Sequence, residues 1–457
     1  MRRRARRHPA AAAGLIQTSD DWTGPVLARL SERLESDVDH PVALALSGGG
    51  DSIALLQVAT DWARSHGRRL LALTVDHGLG PDSARWTAFA EAAARAAGAD
   101  WRGLAWTGPK PATGLSAAAR RARHGLIADA AREGGARVVL FAHTADDIAE
   151  GQVMRAEGST LGRLRDWSPS PAWPEGRGLM LLRPMLHAGR AGVRDWLAAR
   201  DADWIDDPAN DDPKYARSRA RVALRLSGEA RIRGSGGEAA PGPSTLTPER
   251  KDDGRDAVSA SLLPTGEGWF QLPRDIDPHH LAAALVCAGG GDRLPRGERL
   301  TALVARLRSG EAFTATLCGT RIAAGGDRVF VTREPGELTR RPPLALPLDP
   351  GREAVWDGRW AVTTTESGWS VVPAAGRSAA LSEADRAILK ALPPAARGGQ
   401  PVLIRHAGGA PVLAGTAASA RSLVEERRAL ALDRMTHERD LRDAIHGATT
   451  RNLLFSI

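Results

Sequence analysis

The feature that most constrains the fold of this chain is a glycine-rich turn between an apolar strand and an apolar helix. The turn has the sequence SGGGDS at residues 47–52 and follows the strand-like segment 42–46. Successive glycines permit positive φ and a close approach of the backbone to a ligand, and the start of the next helix presents free N–H groups and a positive dipole end. The turn therefore predicts an anion-binding loop.

Two other interpretations of this turn fit its surroundings poorly. A flexible Gly–Ser linker would have polar flanks, whereas an apolar strand precedes this turn and an apolar helix follows it. The sequence contains no Gly-x-x-x-x-Gly-Lys-Ser/Thr segment, so the common lysine-containing phosphate loop is excluded. The remaining interpretation is an anion-binding loop formed mainly by backbone N–H groups.

Composition indicates several domains and an anionic partner. The chain has 457 residues, which favours two or three domains. Its net charge is +8, its pI is about 10.4, and arginine supplies most of the positive charge. Arginine forks pair well with phosphate, which favours nucleic acid, although a coding bias toward arginine would produce the same composition.

Cysteine content and hydropathy argue against several classes of protein. Cys287 and Cys318 lie far from the glycine-rich turn, which argues against a disulfide framework and a Cys-x-x-Cys site. No apolar run approaches the roughly 20 residues of a membrane span. The arginine-rich residues 1–8 lack the apolar core of a secretory signal. We expect a cytoplasmic protein without membrane contact and a disordered basic tail over residues 1–24, with an RNA-contacting arm as the alternative for that tail.

Strand and helix patterns alternate along the first half of the chain. Strand patterns cover 42–46, 70–75, a stretch near 104, 137–142 and 179–182, and helix patterns cover 52–65, 83–97, 115–131 and a stretch from 145 onward. The alternation predicts an α/β fold with a doubly wound parallel sheet covered on both faces. Ligands of such sheets bind at the carboxyl ends of the strands.

Polar residues follow the predicted strands at such ends. Asp76 and His77 end the second strand, and the segment 143–150 follows the strand at 137–142. Within that segment, Asp147 and Glu150 are spaced i, i+3 and share one helix face. Paired acids at a crevice suit Mg²⁺ or a substrate ammonium group, and the alternative is that they only complement the helix dipole.

Two groups of arginines are candidates for anion contacts. Arg120 and Arg123 share a face of the helix at 115–131, where they can hold a carboxylate or phosphate or simply face solvent. Further on, a segment runs from Arg183 through Arg190 to Asp-Pro and Asn-Asp turns at residues 206–212, and the alternating Arg217, Arg219 and Arg221 follow. This arrangement favours a phosphate-contacting loop and helix, with a plain surface turn as the alternative.

A change of composition separates the two halves of the chain. Residues 227–259 are rich in Gly, Pro, Ser and charged residues, as in a linker or insertion. Beyond them we expect smaller α+β domains. Their helix patterns cover 279–287, 297–308, 383–392 and 418–444, and their strand patterns cover 313–322, 328–332 and 353–373. The predicted domain bounds are 25–226 for the α/β domain, 227–259 for the linker, 260–340 for a first α+β domain and 341–457 for a C-terminal domain.

In this order, the motifs resemble those of the tRNA(Ile)-lysidine synthases, a family of N-type ATP pyrophosphatases with a PP-loop. The resemblance covers about residues 41–221, and its motifs are SGGGDS at 47–52, VDHGL at 75–79, ARRAR at 119–123, HTADDIAE at 143–150, RP at 183–184 and DPAN at 207–210. It implies ligation of L-lysine to C2 of the wobble cytidine in the CAU anticodon of tRNA(Ile). The reaction uses ATP and Mg²⁺, passes through an adenylated cytidine, and releases AMP and pyrophosphate.

The resemblance also implies roles for individual residues. ATP is bound by Ser47, Gly48, Gly49, Gly50, Asp51, Ser52, Asp76 and His77, with Asp51 also assisting Mg²⁺. Lysine is bound by Asp147, Glu150, Arg123 and Arg120. The tRNA phosphates are contacted by Arg217, Arg219 and Arg221. The residues expected to carry the chemistry are Asp51, Asp147, Glu150 and Arg123.

The chain departs from the family pattern at several positions, none of which carries an assigned role in the chemistry. They are Gly151 for a usual threonine, the segment 156–160, His124 for tyrosine, Ala209 for serine and Ser218 for asparagine. The alternatives are another PP-loop pyrophosphatase, such as a tRNA thiolase or an amide-forming synthetase, and a non-catalytic RNA-binding relative. A thiolase would normally have paired cysteines in the catalytic half, and this chain has none there. The oligomeric state stays open, with a homodimer as one option.

Overall fold

The structure is a computed structural model that describes residues 21–159, 162–207, 212, 214, 216–234, 268–340, 345–432 and 435–441. Contacts divide the chain into two units, each described by itself. The first unit comprises the described residues of Met1–Gly103, Leu140–Asp166 and Leu182–Gly234. The second comprises those of Leu104–Val139, Trp167–Leu181 and Ser235–Ile457. Most of the predicted basic tail, the turn at 208–211 and the predicted linker beyond residue 234 lie outside the described residues.

The N-terminal half contains a six-stranded sheet. Its strands are β1 (Val42–Ala45), β2 (Leu70–Asp76), β3 (Asp100–Ala105), β4 (Val138–Leu140), β5 (Trp167–Pro169) and β6 (Met180–Leu182). They lie in the order β3-β2-β1-β4-β6-β5, and β1 runs parallel to β2 with Val42 opposite Leu70. Strand β1 is almost wholly buried, as its continuous apolar sequence VALA requires of a strand covered on both faces.

Helices connect these strands in the manner of an α/β fold. They are α1 (Thr23–Arg33), α2 (Gly50–Ser65), α3 (Ser83–Ala97), α4 (Leu115–Glu133), α5 (Ala145–Ala156), α6 (Arg190–Ala198) and α7 (Ala216–Gly234). The predicted fold class is confirmed, and α3 has the predicted bounds. Two helices, α1 and α6, were not predicted. Helix α7 continues into the segment predicted as linker.

The C-terminal half is built from small antiparallel sheets and short helices. Its strands are β7 (Phe270–Pro273), β8 (Phe313–Leu317), β9 (Thr320–Gly325), β10 (Arg328–Arg333), β11 (Leu346–Leu348), β12 (Ala354–Trp356), β13 (Trp360–Thr363), β14 (Trp369–Pro373), β15 (Pro401–Arg405), β16 (Val412–Leu413) and β17 (Ser419–Ser422). Its helices are α8 (Pro278–Gly289), α9 (Gly297–Arg308), α10 (Pro335–Arg340), α11 (Glu383–Ala391), α12 (Pro394–Arg397), α13 (Ala414–Ala417) and α14 (Val424–Ala431). The sheet orders are β7-β10-β9-β8, β11-β14-β15-β16 and β12-β13-β17, which confirms the α+β character expected here.

Two predictions for this half were wrong. Residues 313–322 form two strands instead of one, because Cys318 and Gly319 both adopt positive φ and make the two-residue turn of a tight hairpin between β8 and β9. Residues 418–444 were predicted as helical, but strand β17 pairs antiparallel with β13, and α14 is short. Sheet pairing here overrides the helix propensity of an alanine-rich segment.

None of the helices in the described ranges is both long enough and apolar enough to span a membrane.

Candidate active site

The phosphate loop, residues 47–52, joins β1 to α2 in the first unit. Gly48 has φ +81°, and Gly49 is the N-cap residue of α2. The hydroxyls of Ser47 and Ser52 lie 3.1 Å apart, and the Ser52 hydroxyl donates to the Gly49 carbonyl at 2.8 Å. Small side chains thus brace the turn from within, while the first turn of α2 supplies the N–H groups that suit an anion.

A second segment of the chain passes directly against this loop. The N–H of Ile205 donates to the Gly48 carbonyl at 2.9 Å, and Gly49 and Ile205 form an isolated parallel bridge. A Cβ on Gly48 would lie 2.5 Å from Cδ1 of Ile205. Glycine is therefore favoured at residue 48 for two reasons, its backbone conformation and the close approach of the Ile205 side chain.

Asp76 is the last residue of β2 and His77 follows it, so both lie at the strand end predicted from the sequence. Oδ1 of Asp76 accepts hydrogen bonds from the Gly78 N–H at 2.7 Å and from the Ser83 hydroxyl. These bonds hold the turn between β2 and α3, in which Gly78 has positive φ. The structure thus shows a local role for Asp76, and the adenosine contact of Asp76 and His77 stays a prediction.

The predicted acid pair lies on one face of α5, and both carboxylates are buried. Asp147 has a second role, because its Oδ2 accepts from the N–H of Thr144 at 2.9 Å and completes a capping box at the start of the helix. Glu150, one turn further on, is only 1% exposed. A carboxylate buried to this degree needs partners of opposite charge.

Arginines from two other helices supply those partners. Arg190, the first residue of α6, directs Nη1 to Glu150 Oε1 at 2.9 Å and Nη2 to Asp147 Oδ2 at 3.6 Å. On α7, Arg221 Nε lies 2.6 Å from Glu150 Oε1, and Arg217 Nε lies 3.3 Å from Glu150 Oε2. We call Asp147, Glu150, Arg190, Arg217 and Arg221 the acid–arginine cluster.

Arg190 also connects this cluster to the phosphate loop. Its Nε donates to Asp51 Oδ2 at 3.2 Å, and its backbone N–H donates to Asp146 Oδ2 at 2.7 Å. A cation at the start of a helix opposes the helix dipole, so the position of Arg190 depends on the surrounding carboxylates. The loop and the acid pair are therefore separated by no more than the width of one guanidinium group.

Electrostatics differ between the carboxylates that Arg190 bridges. Burial raises the pKa of Asp51, although the charge of Arg190 opposes the shift. Burial alone would also raise the pKa of Asp147. There, nearby positive charges and the Thr144 N–H outweigh burial and hold the pKa below its usual range. The positive charges involved are His143, Arg217 and Arg190.

The donor set near the loop fits a nucleotide with its cation. Oδ1 of Asp51 is buried and has no hydrogen-bond partner in the described part of the chain. A carboxylate oxygen of this kind is the ligand that Mg²⁺ prefers. Asp51 is therefore the residue that would hold Mg²⁺ beside phosphates bound on the loop.

The remaining predicted arginines do not belong to the cluster. Arg120 and Arg123 lie on α4 in the second unit, so their contact with the substrate stays a prediction. Arg219 lies on α7 and donates to the Lys214 carbonyl at 3.1 Å. The tRNA contacts of Arg217, Arg219 and Arg221 also stay predictions, although the structure shows that Arg217 and Arg221 contact the acid pair.

Two contributions to the site were missed from the sequence. Arg190 was placed only in the phosphate-contacting segment, without its contacts to Asp51 and Glu150, and the pairing of Ile205 with the loop was not predicted. The available signal for Arg190 was its place just after the Arg-Pro motif at residues 183–184, at the start of an amphipathic helix. No local signal marks Ile205.

A glycine-rich loop between a central strand and a helix, next to buried acids, defines the class of PP-loop ATP-binding proteins, and the PP-loop domain family ATP_bind_3 matches residues 24–226. A tRNA(Ile)-lysidine synthase from Caulobacter vibrioides is 50% identical over 386 residues, 84% of this chain and 89% of the relative. A tRNA(Ile)-lysidine synthase from Mesorhizobium japonicum is 35% identical over 77% of this chain and 79% of the relative. The chain belongs to the tRNA(Ile)-lysidine synthase family.

Among solved structures, a U34-tRNA thiolase from Methanococcus maripaludis is similar with a TM-score of 0.37 and 17% identity, over 47% of this chain and 78% of that chain. This similarity is too low to carry an argument. Membership of the lysidine synthase family decides against the other PP-loop enzymes and the non-catalytic relative that the sequence left open.

Proposed function

We propose that this protein ligates L-lysine to C2 of the wobble cytidine in the CAU anticodon of tRNA(Ile), with conversion of ATP to AMP and pyrophosphate. The observation that carries the proposal is the single guanidinium that reaches both sites, with Arg190 Nε at Asp51 and Nη1 at Glu150. An anion cradle and an ammonium site this close together suit a reaction that joins a nucleotide-activated group to an amine.

Activation of the cytidine is the task of the phosphate loop. The C2 oxygen of cytosine is a poor leaving group, so it attacks the α-phosphorus of ATP and takes up AMP while pyrophosphate departs. The N–H groups at the start of α2 and the Ser47 and Ser52 hydroxyls would hold the phosphates and stabilise charge on the departing pyrophosphate. Mg²⁺, held by Asp51, would offset the charge of the phosphates.

Displacement of AMP is the task of the acid pair. The ε-ammonium of lysine must lose a proton before its nitrogen attacks C2, because only the neutral amine has a free electron pair. Asp147 and Glu150 would orient this group, and a carboxylate would accept its proton as the C–N bond forms and the C–O bond to AMP breaks. Arg123 and Arg120 would hold the lysine carboxylate or the adenylate.

Binding of the tRNA would use the basic surface of the protein. Arg217, Arg219 and Arg221 are our candidates for phosphate contacts, and we expect the binding to weaken steeply with salt. The C-terminal small sheets are the candidate tRNA-contacting domains. We expect the protein to act in the cytoplasm, and a homodimer is one assembly to be tested.

The experiment that tests the function is a reaction with ATP, Mg²⁺, isotope-labelled lysine and tRNA(Ile), followed by mass analysis of the anticodon nucleoside. We expect lysidine at the wobble position, and pyrophosphate release that depends on this tRNA. An unrelated tRNA with a different anticodon is the control substrate. Pyrophosphate release that needs ammonia and a small acid, without any tRNA, would instead show an amide-forming synthetase.

A further inference from the structure

One arginine side chain occupies the space that two substrates would use. Arg190 lies against Asp51, where the nucleotide phosphates and their cation would bind, and against Asp147 and Glu150, where an ammonium would bind. Its side chain is 19% exposed, and it is bonded through its backbone as well. The backbone of Arg190 is therefore anchored between the two sites. Its guanidinium would attract the nucleotide phosphates and would compete with an ammonium for the acid pair.

The charges around Arg190 nearly balance. The carboxylates of Asp51, Asp147 and Glu150 face three guanidinium groups, those of Arg190, Arg217 and Arg221. An ammonium that enters this arrangement meets acids that are already neutralised. Its binding is therefore weak unless one of the arginine charges is withdrawn from the acids.

Arg190 differs from the other two arginines in what it can reach. Within the described part of the chain, Arg217 and Arg221 contact the acid pair but form no ion pair with Asp51. Arg190 alone among these three touches the phosphate loop. A guanidinium fork bonds phosphate oxygens bidentately as well as carboxylates, and the several negative charges of bound ATP would attract Arg190 toward the loop.

We propose that Arg190 is a positioning residue that couples the two sites: without nucleotide its guanidinium helps to neutralise the acid pair, and with ATP bound it turns to the phosphates. Asp147 and Glu150 then keep only Arg217 and Arg221 as cationic partners within the described part of the chain and accept the lysine ammonium more readily. Lysine then binds better to the ATP-bound protein than to the free protein. By linkage, lysine raises the affinity for ATP by the same factor. This inference rests on the proposed function, because it takes lysine as the amine.

The test is a measurement of lysine affinity by titration calorimetry on the full chain. Lysine is titrated with and without a saturating ATP analogue that has a methylene group between its α and β phosphorus atoms. For the wild type we expect the analogue to tighten lysine binding by at least about 5-fold, the lower end of usual coupling factors. For Arg190→Met we expect lysine to bind more tightly than to the wild type when the analogue is absent. The analogue should then change the lysine affinity of this variant by no more than about 2-fold.

The matched control is Arg194→Met, on the same helix one turn further on. Arg194 pairs with Asp206 at 2.7 Å and lies over the Trp204 ring. Its replacement removes one positive charge from the same region but, among the described residues, removes no ion pair of Asp147 or Glu150. We expect this variant to keep the wild-type coupling. Arg190→Gln serves as a second neutral variant, and thermal melting checks that each variant is folded.

Three results would overturn the proposal. One is wild-type lysine affinity that is the same with and without the analogue, a result that needs no variant. Another is a loss of lysine affinity by the same factor in both states of Arg190→Met, which would show a purely structural role. A third is loss of coupling in Arg194→Met as well. Failure of the proposed function looks different, because the wild type would then bind no lysine or form no lysidine.

Discussion

The phosphate loop and the acid–arginine cluster lie side by side but are built in different ways. In the loop, the side-chain hydrogen bonds that brace the turn run between residues at most five apart, such as Ser47 and Ser52, and one distant backbone segment at Ile205 packs against it. In the cluster, Glu150 on α5 is held by Arg190 on α6 and Arg221 on α7. The loop depends on backbone conformation and close packing, whereas the cluster depends on charge. Substitutions in the two regions should therefore have different effects on ligand binding and on stability.

The largest effect is expected for Glu150→Gln, which removes the charge that three arginines share. Lysine incorporation should fall by about 10²–10⁴-fold, because the ammonium loses its buried partner. Unfolding free energy should fall by up to about 3 kcal/mol, since the guanidinium groups are left partly buried without their acid. Incorporation of labelled lysine and urea unfolding measure the two quantities.

The control for this variant is Glu157→Gln, just beyond the C-terminal end of the same helix and exposed to solvent. It removes the same charge outside the cluster and should leave both measurements unchanged. If Glu150→Gln incorporated lysine at the wild-type rate, the assignment of the amine site would be wrong.

The next effect concerns the loop. Gly48→Ala should weaken ATP binding strongly, because its Cβ would lie 2.5 Å from Ile205 Cδ1 and displace that side chain from its place against the loop. Gly98→Ala is the matched control, since Gly98 has φ +82° but a Cβ there would meet its nearest neighbour only at 3.7 Å. Both variants bear the cost of a left-handed backbone, about 1–2 kcal/mol.

Calorimetric titration with an ATP analogue separates the cost of the left-handed backbone from the effect of the contact with Ile205. Gly98→Ala should lower stability and leave the affinity for the analogue intact. Equal losses of affinity in both variants would show that the loop needs only backbone freedom, and that the close approach of Ile205 has no part in ATP binding.

The loop and the acids of the cluster could be predicted from the sequence, but the ion pairs that join those acids to arginines could not. The loop and the acids of α5 are short-range patterns, so Ser47, Asp51, Asp147 and Glu150 could be identified from spacing and flanking hydrophobicity. Arg190 meets Asp51 across 139 positions of the chain, and no local pattern encodes such a contact. In the C-terminal half, long-range pairing of β17 with β13 overrode an alanine-rich helical pattern for the same reason.

A smaller effect should appear as opposite pH dependences of two asparagine variants. The pKa of Asp147 is lowered in the folded state, so this carboxylate adds stability above its unfolded pKa of about 3.9, and the stability is lost as the pH falls through the lower folded value. The pKa of Asp51 is raised, so its contribution is lost as the pH rises through the folded value.

At pH 7, Asp147→Asn should therefore destabilise the protein, whereas Asp51→Asn should be neutral or stabilising. The difference between the two variants should shrink as the pH approaches 3. Thermal melting from pH 3 to pH 7 measures it. A destabilisation of equal size in both variants at pH 7 would show that the loop and the cluster do not differ in electrostatics.

The smallest effect concerns the outer arginine of α7. Arg219 donates to the Lys214 carbonyl at 3.1 Å, and we expect Arg219→Met to leave lysine affinity unchanged. If Arg219 contacts a tRNA phosphate, tRNA binding weakens and the slope of log affinity against log salt falls by about 1. Arg221→Met should also disturb lysine binding, because Arg221 lies 2.6 Å from Glu150. Arg200→Met, an exposed charge at the end of α6, is the control for a general loss of positive charge. An unchanged salt slope for Arg219→Met would remove this arginine from the tRNA surface and leave α7 as a support of the cluster alone.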